Sequence, residues 1–198
     1  GDFIICADGG LRHAAKMGVI PDVILGDFDS DNAGEYLTEL LSEHKLACEG
    51  CGPEIIRLPA EKDDTDTAAA IKLGLERGYR EFYILGGIGG RPDHTAANIV
   101  MLKYLADMGC RCVMLGDHSE FTMLKNGYTE IKRSRYKYLS VLAFGGDAEG
   151  VTLSGVKYPL HNFLLKNNFP LGVSNEITED VAKISVKSGT LLIIQAEE

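Results

Sequence analysis

Phe82-Tyr83-Ile84-Leu85-Gly86-Gly87-Ile88-Gly89-Gly90-Arg91-Pro92-Asp93-His94 places an apolar run, a glycine-rich loop and the start of a helical pattern in direct succession. The apolar run, bounded by glycine, reads as a strand. Residues 92–108 read as a helix with Ile99, Leu102 and Leu105 on its apolar side, and residues 112–115 as the next strand. Strand, loop, helix and strand in this order form a β-α-β unit, which requires parallel strands joined by a crossover.

The same grammar extends upstream. Residues 3–7, 22–26 and 54–58 are short strand-like runs. Between them, residues 11–17 read as a helix that stops at Gly18 with Pro21 just beyond, and residues 33–46, rich in Glu and Leu, as a second. A third begins at Asp66 and continues through Ala68, Ala69, Ile71, Leu73 and Leu75 to Gly78. Residues 1–126 are therefore expected to form an α/β domain with a doubly wound, mostly parallel sheet. After about residue 126 helical periodicity is lost, and residues 137–144, 150–153, 156–160, 182–187 and 190–195 read as short strands punctuated by Gly. Residues 127–198 are expected to be a small antiparallel β-sandwich domain.

Acidic residues recur where strand pattern meets glycine: Cys6-Ala7-Asp8-Gly9-Gly10, Leu25-Gly26-Asp27-Phe28-Asp29-Ser30, Lys62-Asp63-Asp64-Thr65-Asp66-Thr67 and the loop through Asp93. In an open parallel sheet the strand C-terminal ends share one edge, so these loops are expected to converge on one crevice. Carboxylates about 4 Å apart repel by roughly 4 kcal/mol at an effective dielectric near 20, so such a cluster calls for a cation or protons. A divalent-metal site handling a phosphate-rich ligand follows.

Asp27 and Asp29 straddle Phe28, and in an extended segment both project to one side, a spacing suited to Mg²⁺; the alternative is that one caps the next helix. Asp63, Asp64 and Asp66 precede a helix start, where one of them is expected to be only a cap or a solvated charge, and Thr67 is either a phosphate contact or a cap. Residues 86–90 match neither a Walker A loop nor the G-x-G-x-x-G spacing, yet glycine permits close backbone approach to phosphate, and Arg91 adds a cationic fork. His94 is either a site residue or a helix-start residue held locally, and Asp8 either a cap or a ligand.

Taken in order, and with Gly155-Val156-Lys157-Tyr158-Pro159-Leu160 and Gly172-Val173-Ser174-Asn175-Glu176 downstream, these motifs resemble the thiamin pyrophosphokinase family over most of the chain. The resemblance implies an enzyme that moves the pyrophosphoryl group of ATP onto the thiamin hydroxyl and releases AMP. It implies Asp27, Asp29 and Asp66 around Mg²⁺, with Asp93 and Arg91 joining them in catalysis. It further implies a nucleotide set of Asp8, Asp63, Thr67, Gly86, Gly87, Arg91, His94, Thr95 and Asn98. Ser174 and Asn175 are expected to recognise the thiamin pyrimidine, in an active site between the subunits of a homodimer. Some family members place a Trp against the vitamin ring; this chain has none.

Two rival readings remain. Asp27-Phe28-Asp29-Ser30 and Gly116-Asp117-His118-Ser119-Glu120 mimic the acidic motifs of a haloacid-dehalogenase-like phosphatase acting through an aspartyl-phosphate, but that reading leaves Asp8, Asp66 and the 86–93 loop without a role. A sensor that binds thiamin or nucleotide without turnover is the non-enzyme alternative.

Bulk properties narrow the class. The 198 residues carry a formal charge of −9 with a pI near 5.1, which argues against nucleic-acid or anionic-membrane binding through a basic surface. No apolar run approaches the roughly 20 residues that span a bilayer. Cys48 and Cys51 form a C-x-x-C without a second pair, and Cys110 and Cys112 share one face of a strand, so the five cysteines read as structural thiols of a reducing compartment; a cytoplasmic location is expected. The chain starts inside a strand-like run at Gly1, and a further N-terminal piece is expected to precede it.

Overall fold

Val23–Gly26 is buried at every residue, the condition of a strand flanked on both edges and covered on both faces. In the computed structural model, which describes residues 1–28, 52–59, 61 and 63–198, this strand is the centre of the first of two units, Gly1–Tyr79 and Arg80–Glu198.

The first unit contains β1 (Ile5–Ala7), α1 (Gly10–Met17), β2 (Val23–Gly26), β3 (Glu54–Arg57) and α2 (Asp66–Glu76). The strands run parallel in the order β1-β2-β3, with Ala7 opposite Leu25 and Gly26 opposite Arg57. α1 ends as its sequence predicts: Gly18 adopts φ 61°, a left-handed conformation that glycine enters freely, and its N–H donates to the carbonyls of Ala14 and Ala15. Leu11 and Ala14 on its buried face pack with Cys6 and Ile24. α2 packs against β1 and β2. The helix expected over residues 33–46, together with Asp29, Cys48 and Cys51, lies outside the described residues.

The second unit opens with β4 (Glu81–Leu85), α3 (Pro92–Asp107) and β5 (Arg111–Leu115), and β4 and β5 are parallel. These are the β-α-β elements expected from the quoted stretch. β6 (Ser119–Lys132) then reverses direction against β5, and β7 (Tyr138–Ala143), β8 (Ala148–Ser154), β9 (Leu160–Leu165) and β10 (Val181–Ala196) complete an antiparallel region. β10 is the hub: β6 pairs along its length, while its other edge is shared by β8 and β7. Leu139, Val141, Val151, Leu153, Leu165, Ile184, Leu191 and Ile193, all nearly inaccessible, fill the core beneath. The α/β class with mostly parallel strands first and a small β region second therefore holds.

Three local readings differ. β6 is absent from the sequence reading because its residues are half-exposed and Asn126-Gly127 in its middle reads as a turn. Residues 182–187 and 190–195 are one strand, not two: the register shifts between Val186 and Thr190, and Gly189 (φ 112°) donates its N–H to Asn126 Oδ1 at 2.9 Å, so the irregularities of β6 and β10 face each other. The strand expected over residues 156–160 is instead β9, beginning at Leu160 after Pro159, with Val156 in a single bridge to Ile177.

Candidate functional site

Two strand ends in the first unit carry carboxylates. Asp8 leaves β1 with φ 38°, a left-handed conformation that Asp tolerates better than most residues, and its N–H donates to Leu25 O at 2.8 Å. Gly26 makes room for this: a Cβ there would lie 3.3 Å from both Cα and Cβ of Asp8. Asp27 follows directly, so Asp8 and Asp27 leave the same end of neighbouring parallel strands. Phe28 turns the chain with φ 58°, and the Arg57 guanidinium sits over its ring at 5.5 Å.

Asp66 is the first residue of α2, and the N-cap position before it belongs to Thr65. The Thr65 hydroxyl accepts from the Ala68 N–H at 3.2 Å. Asp66, at the first helical position, buries Oδ1, while Thr67 is half-buried one residue further into the first turn. At the surface Asp64 pairs with Lys72 at 2.5 Å, and Asp63 is exposed. Among the described residues, no group of three or more His, Cys, Asp or Glu side chains is gathered to hold a metal ion. Asp27 and Asp66 nevertheless offer hard oxygen donors, and Mg²⁺ commonly takes only one or two protein carboxylates and completes its shell with water and phosphate oxygens.

In the second unit the loop between β4 and α3 is built by glycine. Gly86, Gly89 and Gly90 take φ 71°, 106° and 61°. Gly87 is buried, and a Cβ there would meet Met114 Sδ at 2.8 Å and Ile84 Cγ2 at 3.0 Å. Two α3 side chains hold the loop: Asn98 Nδ2 donates to Gly87 O at 2.9 Å, and Thr95 Oγ1 accepts from Gly89 N–H at 3.3 Å. Arg91 occupies the N-cap position without a side-chain cap, Pro92 follows, and Arg91, Asp93 and His94 are all exposed. Hydrogen bonding to Arg91 holds the Asp93 carboxyl below its usual range against slight desolvation, with the His94 N–H assisting; the same bond raises Arg91.

The β-rich part places Ser174 and Asn175 side by side with different roles. Ser174 is exposed at φ 59°, its N–H donating to Ser140 Oγ at 3.1 Å. Asn175 is buried: Oδ1 accepts from the N–H groups of Tyr158 and Glu176, both at 2.9 Å, and Nδ2 donates to Tyr158 O at 2.9 Å. Its amide therefore ties together the two motifs 155–160 and 172–176. Thr65 and Met114 lie outside the expected site residues, and Tyr158 enters only through the 155–160 motif; the Thr-then-helix pattern is the sequence signal at Thr65.

Residues 1–114 match the family model for the thiamin pyrophosphokinase catalytic domain, and residues 129–191 that for the thiamin pyrophosphokinase vitamin B1 binding domain. The thiamine pyrophosphokinase of Bacillus subtilis (strain 168) is 30% identical over 195 residues, covering 98% of this chain and 87% of that protein. Thiamine pyrophosphokinase 1 of Oryza sativa subsp. japonica is 25% identical, over 96% and 77% of the two chains. The crystal structure of the Bacillus subtilis enzyme superposes with a TM-score of 0.87 at 27% identity, covering 98% of this chain and 87% of that one. That of a thiamin pyrophosphokinase family protein from Enterococcus faecalis gives 0.84 at 28%, covering 100% and 89%.

Proposed function

Because the chain belongs to the thiamin pyrophosphokinase family, we propose how its residues divide the work of transferring the pyrophosphoryl group of ATP to the thiamin hydroxyl, giving thiamin diphosphate and AMP. The observation that carries this reading is the succession, in one chain, of matches to a catalytic and a vitamin B1 binding domain. The phosphatase and sensor readings are not favoured by these relatives. No described helix is long and apolar enough to cross a membrane.

The thiamin oxygen attacks the β-phosphorus, the bond from that phosphorus to the oxygen of the α-phosphate breaks, and AMP leaves with the bonding electron pair. The hydroxyl proton passes to an aspartate among Asp27, Asp29, Asp66 and Asp93. Arg91 and the α3 N-terminus meet phosphate charge, while Asp8, Asp63, Thr67, Gly86, Gly87, His94 and Thr95 complete the nucleotide side. Mg²⁺ held by Asp27, Asp29 and Asp66 supplies charge neutralisation on the polyphosphate when bound. Ser174 contributes its exposed hydroxyl to the pyrimidine, and Asn175 uses its remaining amide proton there while fixing the surrounding turns. Residues 1–126 then serve the nucleotide and residues 127–198 the vitamin.

The active unit in this reading is a cytoplasmic homodimer with its active site near the subunit interface. Large apolar side chains left exposed in the β-rich part, Phe163, Leu164, Phe169 and Leu171, support association. Sedimentation showing a fully active monomer would refute it. The reaction itself is tested by incubating the protein with ATP, Mg²⁺ and thiamin and separating the products: AMP with thiamin diphosphate is expected, and ADP with thiamin monophosphate, or phosphate alone, would overturn the assignment.

A further inference from the structure

The buried face of α3 runs through Asn98, Leu102 and Leu105, so a polar amide stands at the first position of an otherwise aliphatic stripe. Asn98 is 6% exposed, and burying an amide is unfavourable unless it is hydrogen-bonded. Its Nδ2 donates to the carbonyl of Gly87, where a Cβ would lie 2.8 Å from Met114 Sδ and 3.0 Å from Ile84 Cγ2 and force a shift. One turn earlier on the same helix, Thr95 engages both the N–H and the carbonyl of Gly89. The glycine loop is thus pinned to α3 at two points and seated on β5 at the first of them.

From this arrangement we propose that Asn98 is a positioning residue: it sets the glycine loop for the nucleotide through the Gly87 carbonyl and does not itself touch the nucleotide. The proposal rests on residues 86–93 being the nucleotide loop, and it reassigns Asn98 from nucleotide contact to loop support. A leucine at position 98 would continue the aliphatic stripe but would remove the Nδ2 donor from the Gly87 carbonyl. What the amide adds is a fixed direction for one loop carbonyl, and with it the orientation of the adjoining peptide groups.

The test is a double-variant cycle on Asn98→Leu and Gly87→Ala, with ATP affinity read by calorimetry and the thiamin KM by steady-state kinetics. Asn98→Leu is expected to weaken ATP binding about tenfold with the thiamin KM unchanged, and Gly87→Ala, which displaces the same carbonyl, to add little further loss in the double variant. Asn98→Ser, which keeps a shorter donor, is expected to retain part of the affinity and stands in should the leucine variant not fold. Wild-type ATP affinity in Asn98→Leu would reduce the amide to a structural anchor, and losses that multiply would put Asn98 in independent contact with the nucleotide; either result overturns the proposal. Failure of the family reading is read separately, from the wild-type products, since calorimetry needs no turnover.

Discussion

Arg91 and Asp93 form a two-point ion pair at the start of α3, with Nη2 2.5 Å from Oδ2 and Nε 3.2 Å from Oδ1. Both side chains are largely in water, 72% and 61% exposed, so the pair contributes little to stability and is open to exchange with another anion. A polyphosphate offers the guanidinium fork the same paired oxygens that Asp93 now supplies.

Arg91→Lys is therefore expected to raise the ATP KM by about tenfold, because an ammonium keeps the charge but loses the two-point fork. The thiamin KM and the melting temperature should stay near wild type. A lysine variant with unchanged ATP kinetics would remove Arg91 from the phosphate site.

Asp27→Asn keeps the size of the side chain and removes its charge, at a strand end already shaped by Gly26 and Asp8. Turnover is expected to fall by about a hundredfold or more while the melting temperature changes little. The same is expected of Asp29→Asn. Wild-type activity of both variants at limiting Mg²⁺ would contradict a metal role.

The outline of the fold is legible in the sequence because apolar runs alternate with helical pattern through residue 115, most plainly at β2, which is buried at every residue, and along the Leu102–Leu105 face of α3. It fades at β6, where polar and apolar residues share half-exposed positions and Asn126-Gly127 imitates a turn. The site divides in the same way. Strand-end carboxylates and the glycine loop announce themselves by residue type and position. The partners of Asn98 and Asn175 do not, because each amide bonds to a backbone group 11 or 17 residues away, and only tertiary structure brings those groups together.

The cysteines give a pH prediction. Burial pushes the Cys6 thiol up to about 11, and burial with neighbouring Cys110 pushes Cys112 to about 12, from an ordinary 9.0. A raised value means the fold favours the neutral thiol, so this contribution is intact below pH 9 and is lost as the pH climbs through 11 to 12. Native protein at pH 8 should resist iodoacetamide at both positions and react only after unfolding. Rapid alkylation of native Cys112 would contradict its burial.

Asn175 and Ser174 allow stability and vitamin recognition to be separated. Asn175→Ala strips the Tyr158 and Glu176 N–H groups of their acceptor and the Tyr158 carbonyl of its donor, in a site only 3% exposed. Leaving buried polar groups unpaired typically costs about 1–3 kcal/mol each, so a loss of roughly 2–4 kcal/mol is expected after partial relaxation. Thiamin affinity should fall as well, by about tenfold, because the 155–160 and 172–176 segments lose their tie, while ATP affinity is unchanged. Ser174→Ala behaves differently: its backbone bond to Ser140 survives and the side chain removed is solvent-exposed, so stability should hold while thiamin affinity drops. Chemical denaturation and paired substrate titrations on the two variants decide the matter. Normal thiamin affinity in both would move vitamin recognition away from this turn, whatever happens to stability.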